Sequence, residues 1–111
     1  MANFDAAQPN EIEMLCFQLV AQVGSARSSF VEAINRAENG DFAGAEACFA
    51  EGDNTFSAGH ALHAEMLKRE GEGEQLPFRI IILHAEDLMM SAETLRIIAE
   101  KFVNVYKNME G

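Results

Sequence analysis

The sequence predicts an all-α chain, an antiparallel three-helix bundle whose third helix lies at an oligomer interface. Three observations lead there. Apolar residues recur at helical spacing along almost the whole chain, and no segment alternates with period two over a useful length. Proline occurs only at Pro9 and Pro77, so nothing interrupts long helices between them. The last of the three segments is apolar around nearly its full circumference, more than two neighbouring helices can cover.

Two breaks divide the chain. Asn39-Gly40-Asp41 joins a helix stop to an Asp suited to cap the next helix. Gly71-Glu72-Gly73-Glu74-Gln75-Leu76-Pro77 is a Gly-rich connection closed by proline. In the first segment Ile12, Cys16, Leu19, Val23, Ala26, Phe30, Ala33 and Ala37 alternate steps of four and three, an a/d seam. The second carries Phe42, Ala45, Phe49, Gly52 and Phe56 on a similar seam, continued by Gly59, His63 and Met66.

The third segment runs from about Phe78 to Met109. Ile81, Leu88, Ala92, Leu95, Ala99, Phe102 and Tyr106 form one apolar face, and Ile82, Leu83, Met89, Met90, Ile97, Ile98, Val103 and Val105 add apolar groups elsewhere. Met89 and Met90 are expected in the core. Through this helix runs a polar row, His84, Asp87, Ser91 and Thr94, on one side at steps of three, four and three. Polar groups in such surroundings need partners, because an unpaired carboxylate among apolar groups is costly.

At 111 residues the chain fits one domain, expected at residues 11–109 behind a flexible tail at 1–10. Its formal net charge of −10 repels nucleic-acid phosphates and anionic lipid, and favours a partner with a basic docking face. Cys16 and Cys48 sit beside apolar residues without a Cys-x-x-Cys pattern and are expected as reduced core thiols. The polar N-terminus is expected to hold no secretory signal, and no stretch approaches the ~20 apolar residues of a membrane span. The expected location is cytoplasmic, with no direct membrane insertion.

His84 is the leading candidate for chemistry, since a helical histidine near carboxylates suits proton, metal or phosphoryl work. Phosphoryl transfer needs a neutral imidazole, and a free imidazole, with a reference pKa near 6.5, is mostly neutral at cytoplasmic pH. A bare carboxylate beside the ring would favour imidazolium, so Asp87 is expected to be paired elsewhere or neutralised by a cation. His60 and His63, at i and i+3 on helix 2, are candidates for lining the site, as is Glu86. No Walker loop, Gly-x-Ser-x-Gly elbow, Cys–His pairing or Glu-x-x-His di-iron signature is present. The acidic run Glu70, Glu72 and Glu74 is expected to be a solvated loop.

At His84-Ala85-Glu86-Asp87-Leu88-Met89, after the apolar Ile80-Ile81-Ile82-Leu83, the chain resembles the lactose/cellobiose-specific IIA family of the bacterial sugar phosphotransferase system. Phe17 through Ser28 with Ala26-Arg27-Ser28, Ala37 through Phe42, and the Lys68-Arg69-Glu70 to Pro77 loop are similar too. The family shows His-Ala-Gln-Asp-His-Leu-Met; here Glu86 replaces the Gln, Leu88 the second His, and His63 a usual Gln on helix 2.

The resemblance implies a homotrimer of three-helix subunits. It implies that His84 accepts phosphoryl from the phosphocarrier HPr and passes it to a cysteine of a cognate IIB component, serving uptake of a β-disaccharide of the cellobiose or lactose class. It also implies that Asp87 meets its two symmetry mates around a divalent metal, expected to be Mg2+, on the trimer axis. Two other readings fit the residues: a non-catalytic acidic helical interaction module, and a metal-binding bundle built on His60, His63 and Asp87.

Overall fold

A computed structural model of the chain describes residues 11–76 and 79–110. They form α1 (Glu11–Glu38), α2 (Phe42–Gly71) and α3 (Ile80–Glu110), and no strand occurs among the described residues. None of these helices is long and apolar enough to cross a membrane. The expected tail at residues 1–10 lies outside the described residues.

The α1 seam is the core. Ile12, Cys16, Leu19, Val23, Ala26, Phe30, Ala33 and Ala37 are the residues α1 buries. They are covered from both sides, because α1 packs extensively on α2 and on α3, which touch each other far less. The clusters fix the directions. Met66 of α2 and Ala85, Met89 and Ala92 of α3 join the N-terminal half of α1. Ala45 and Val103 join Ala33 and Ala37 at the other end. Successive helices are therefore antiparallel, and α1 and α3 run parallel.

Small residues let α1 and α2 approach closely. A Cβ built on Gly59 would fall 2.5 Å from Val23 Cγ2, and one on Gly52 would fall 2.6 Å from Phe30 Cε1. Phe30 also meets Phe49 at 5.2 Å between ring centroids. Full burial of a side chain of this size stabilises by about 1.5–3 kcal/mol.

The first turn follows the expected chemistry. Gly40 takes a positive φ of 81°. Asp41 then caps α2, its Oδ1 accepting from the Gly44 N–H at 2.9 Å, while Arg36 Nη1 donates to Asp41 Oδ2 at 3.1 Å. The Gly44 N–H and the Arg36 guanidinium hold the Asp41 carboxyl below its usual range. The second connection departs from expectation. Glu70 belongs to the last turn of α2, Glu72 stands 4.0 Å from Lys68, and Glu74 accepts from Arg69 at 2.7 and 2.9 Å. All three face water, and Glu72 and Glu74 also staple the helix end.

On α3 the buried row is Ala85, Met89, Ala92, Ala99 and Val103. The expected face differs from it: Ile81, Leu88, Leu95 and Tyr106 are half-buried, and Phe102 is 45% exposed. Met89 is in the core, but Met90 is 59% exposed. The cause is physical. A helix apolar all round offers no contrast between faces, so the pattern fixes its burial only loosely. Cys16 is buried and Cys48 half-buried, both free thiols. Burial, with smaller contributions from Glu86 and Glu13, pushes the Cys16 thiol up.

Candidate functional site

His84 occupies the second turn of α3 and is exposed. Among the described residues it has no hydrogen bond, ion pair or ring contact. The rest of its row, Asp87, Ser91 and Thr94, is exposed as well. Ala85 points into the core, and successive helical residues turn by about 100°. His84 therefore flanks the buried face on one side and Glu86 on the other, while Asp87 lies about 200° from Ala85, facing away from α1 and α2.

This geometry separates residues that the sequence suggested would line one site. Glu86 is turned toward α2, where its Oε1 accepts from His63 Nε2 at 2.7 Å. His63 is only 15% exposed, so the hydrogen bond is partly shielded from water. A carboxylate two residues from His84 is thus directed away from it and engaged. His60 does not join this pair: it is exposed, with its ring 6.5 Å from Phe56.

The His63–Glu86 contact is one rung of a set that spans α2 and α3. Arg96 donates to both Asp53 oxygens, at 2.5 and 3.1 Å, and its guanidinium lies 5.1 Å from the Phe49 ring centroid. Lys107 pairs with Glu46 farther along. Hydrogen bonding to Asp53 raises the Arg96 pKa above its ordinary value. These two rungs were not visible in the sequence, since the partners are 43 and 61 residues apart and follow no local spacing.

His60, His63 and Asp87 are not brought together in one chain. Among the described residues no group of three or more His, Cys, Asp or Glu side chains converges, so a metal-binding bundle within the subunit is not assembled. Asp87 is an exposed carboxylate, without a partner among the described residues, on the outward face of α3. A carboxylate is an oxygen donor of the kind a hard divalent cation takes.

The same outward face is strongly apolar. Ile80, Leu83, Met90, Ile97, Ile98, Phe102, Val105 and Met109 are all exposed on α3. One subunit leaves them uncovered, and contiguous apolar surface of this kind marks an interaction surface.

Comparison with known proteins supplies a family. Residues 14–107 match the family described as PTS system, Lactose/Cellobiose specific IIA subunit. The lactose-specific EIIA component of Lactococcus lactis subsp. lactis is 36% identical over 97 residues, covering 87% of this chain and 92% of that protein. Among solved structures, the PTS cellobiose-specific enzyme IIA from Bacillus anthracis superposes with a TM-score of 0.90 at 30% identity, covering 94% of this chain and 95% of that one. The IIA(chitobiose) chain solved in complex with HPr from Escherichia coli shares the fold, with a TM-score of 0.77 at 20% identity over 93% of this chain and 100% of that one.

Proposed function

The chain belongs to the lactose/cellobiose-specific IIA family of the bacterial sugar phosphotransferase system, and from that premise we propose that His84 is its phosphoryl-carrying residue. The observation that carries this reading is the state of His84: an imidazole exposed on α3, without a partner, at the head of a polar row. A nucleophile must present an open ring nitrogen to a phosphorus atom held in line; His84 is exposed with no contact among the described residues, whereas His63 is engaged by Glu86 and the exposed His60 lies beside Phe56. A new P–N bond forms to the His84 ring as the donor's P–N bond breaks. In the second step that P–N bond breaks as a P–S bond forms to a cysteine thiolate of the IIB component. The relative solved with HPr supports HPr as the donor.

The bound phosphoryl carries about two negative charges, so nearby carboxylates oppose it. His63 removes part of that objection by holding Glu86 on the far flank of α3. The subunit assembles as a homotrimer through the outward face of α3, covering the apolar residues that one chain leaves exposed. Asp87 from each of three subunits would hold a divalent cation, expected to be Mg2+, whose charge offsets the repulsion among three like carboxylates. The sugar served is a β-disaccharide of the lactose or cellobiose class, in line with the relatives named above. His60 and His63 border the site through a neighbouring subunit. The work of the chain is in the cytoplasm.

The test is phosphorylation by HPr, its phosphorylating enzyme and phosphoenolpyruvate, followed by counting acid-labile phosphate. Wild type takes up label and His84→Ala takes up none. Label retained by His84→Ala contradicts the assignment.

A further inference from the structure

The outward face of α3 carries a column of polar residues at seven-residue steps. Asp87, Thr94 and Lys101 each stand two places after a buried alanine, Ala85, Ala92 and Ala99 respectively. Two helical steps turn by about 200°, so all three residues point away from α1 and α2. The column changes sign along its length. It has a carboxylate at Asp87 and, roughly 21 Å farther along the helix at 1.5 Å per residue, an ammonium at Lys101.

Lys101 has nothing to offset its charge. Arg36, Lys68, Arg69, Arg79, Arg96 and Lys107 each pair with a carboxylate. Arg27 and Lys101 are exposed and have no partner among the described residues. Only Lys101 of these two lies on the outward face of α3. The residues one turn to either side of it are Ile97, Ile98, Asn104 and Val105, and the three apolar ones are themselves exposed. Glu100, next in sequence, is turned from Lys101 by about 100° and stands 3.8 Å from Arg96, which also holds Asp53. Lys101 is a cation set in an apolar patch.

We propose that the assembly binds one tetrahedral oxyanion of the phosphate class on its axis, held by three Lys101 ammoniums, one from each subunit. The inference rests on the trimer proposed above, in which the outward face of α3 is turned to the axis. Seven residues drift by only about 20° from a straight repeat, so a packing that brings three Asp87 carboxylates together brings three Lys101 side chains together as well. Three like charges among apolar groups oppose assembly unless a counter-charge joins them, and the residues one turn away supply none. A tetrahedral anion has the symmetry this place requires, since three of its oxygens are related by a threefold axis and each can face one ammonium. The charge-assisted N–H···O bonds so formed are of the stronger kind. The flexible four-carbon stem of lysine lets the three heads spread to fit. Asn104, exposed at i+3 from Lys101, brings a further amide donor from each copy.

The experiment titrates the full chain, with Mg2+ held constant and ionic strength fixed by NaCl, with sodium phosphate and separately with sodium sulfate. Calorimetry reads the stoichiometry and sedimentation reads the assembly. The variants are Lys101→Met and Glu100→Gln. Wild type is expected to bind one oxyanion per three chains, and saturating anion should lower the chain concentration at half-assembly about tenfold. Lys101→Met should bind none at this site and assemble without anion at least as tightly as wild type does with it. Glu100→Gln should respond as wild type. A wild-type trimer that binds no oxyanion overturns the proposal, and so does equal binding by Lys101→Met, which places the anion elsewhere. Binding that emerges only in Glu100→Gln also overturns it, because a carboxylate of a neighbouring copy then satisfies Lys101. A wild-type chain that sediments as a monomer at every anion concentration contradicts the trimer itself, whereas a trimer without anion contradicts this site alone.

Discussion

His63 on α2 donates its Nε2–H to Glu86 Oε1 on α3 at 2.7 Å, and this contact turns the carboxylate nearest in sequence to His84 away from it. The two residues are 23 positions apart and join helices that also meet through two further charged pairs. Removing either side chain should therefore loosen the α2–α3 interface at the His84 end. In urea unfolding, His63→Ala and Glu86→Ala are each expected to cost about 1 kcal/mol, discounted for the partial exposure of Glu86. The double variant should cost less than the sum of the two. Full additivity would show that the pair is not coupled.

The α1–α2 contact tolerates no extra atom at Gly59, where a Cβ would meet Val23 Cγ2 at 2.5 Å. Gly59→Ala is expected to destabilise by about 1–3 kcal/mol despite the gain in helix propensity. Gly24→Ala, whose Cβ would meet nothing within 4 Å, should be neutral or stabilising. Thermal melts of the two variants check the contrast; equal behaviour would contradict the close approach.

Reading the seam from the sequence worked where a helix has one apolar stripe. All eight expected α1 positions, from Ile12 to Ala37, are the ones it buries, because the unbroken four-three spacing picks out one stripe even though Met14, Phe17 and Val31 outside it are apolar and exposed. The stop at Gly40 and the cap at Asp41 were legible for a similar reason, being chemistry local to three or four residues. On α3 the single chain leaves Phe102 and Met90 exposed, since apolar residues surround that helix and its burial is set by neighbours. His84 and Asp87 were visible as polar exceptions on a greasy helix. The link from His63 to Glu86 was not, because it depends on which helix faces come together.

Asp41 gives a pH signature. Its carboxyl is held low by the Gly44 N–H and by Arg36. A depressed folded-state pKa contributes stability that is present above the unfolded value and lost as pH falls through the folded one. Asp41→Ala should therefore lower Tm at neutral pH, and the gap to wild type should close as pH falls below about 4. A gap that stays constant down to pH 2 would remove the charge from the explanation.

The proposed trimer and its proposed Asp87 metal site can be tested apart from activity. Asp87→Asn is expected to lower the metal content below one ion per three chains and to weaken the trimer in sedimentation. Ile98→Asp, which places a charge among the exposed apolar residues of α3, should dissociate the trimer even with excess Mg2+. A chain that sediments as a monomer in wild-type form would exclude the axial site.

The most direct measurement of the central claim locates the phosphoryl group among the chain's three histidines. His60→Ala, His63→Ala and His84→Ala are each phosphorylated from phosphoenolpyruvate through HPr, and acid-labile phosphate is counted per chain. The account predicts one phosphoryl per chain in wild type, His60→Ala and His63→Ala, and none in His84→Ala. Undiminished phosphate in His84→Ala, or its loss in His60→Ala or His63→Ala while His84 is intact and the protein folded, would contradict it.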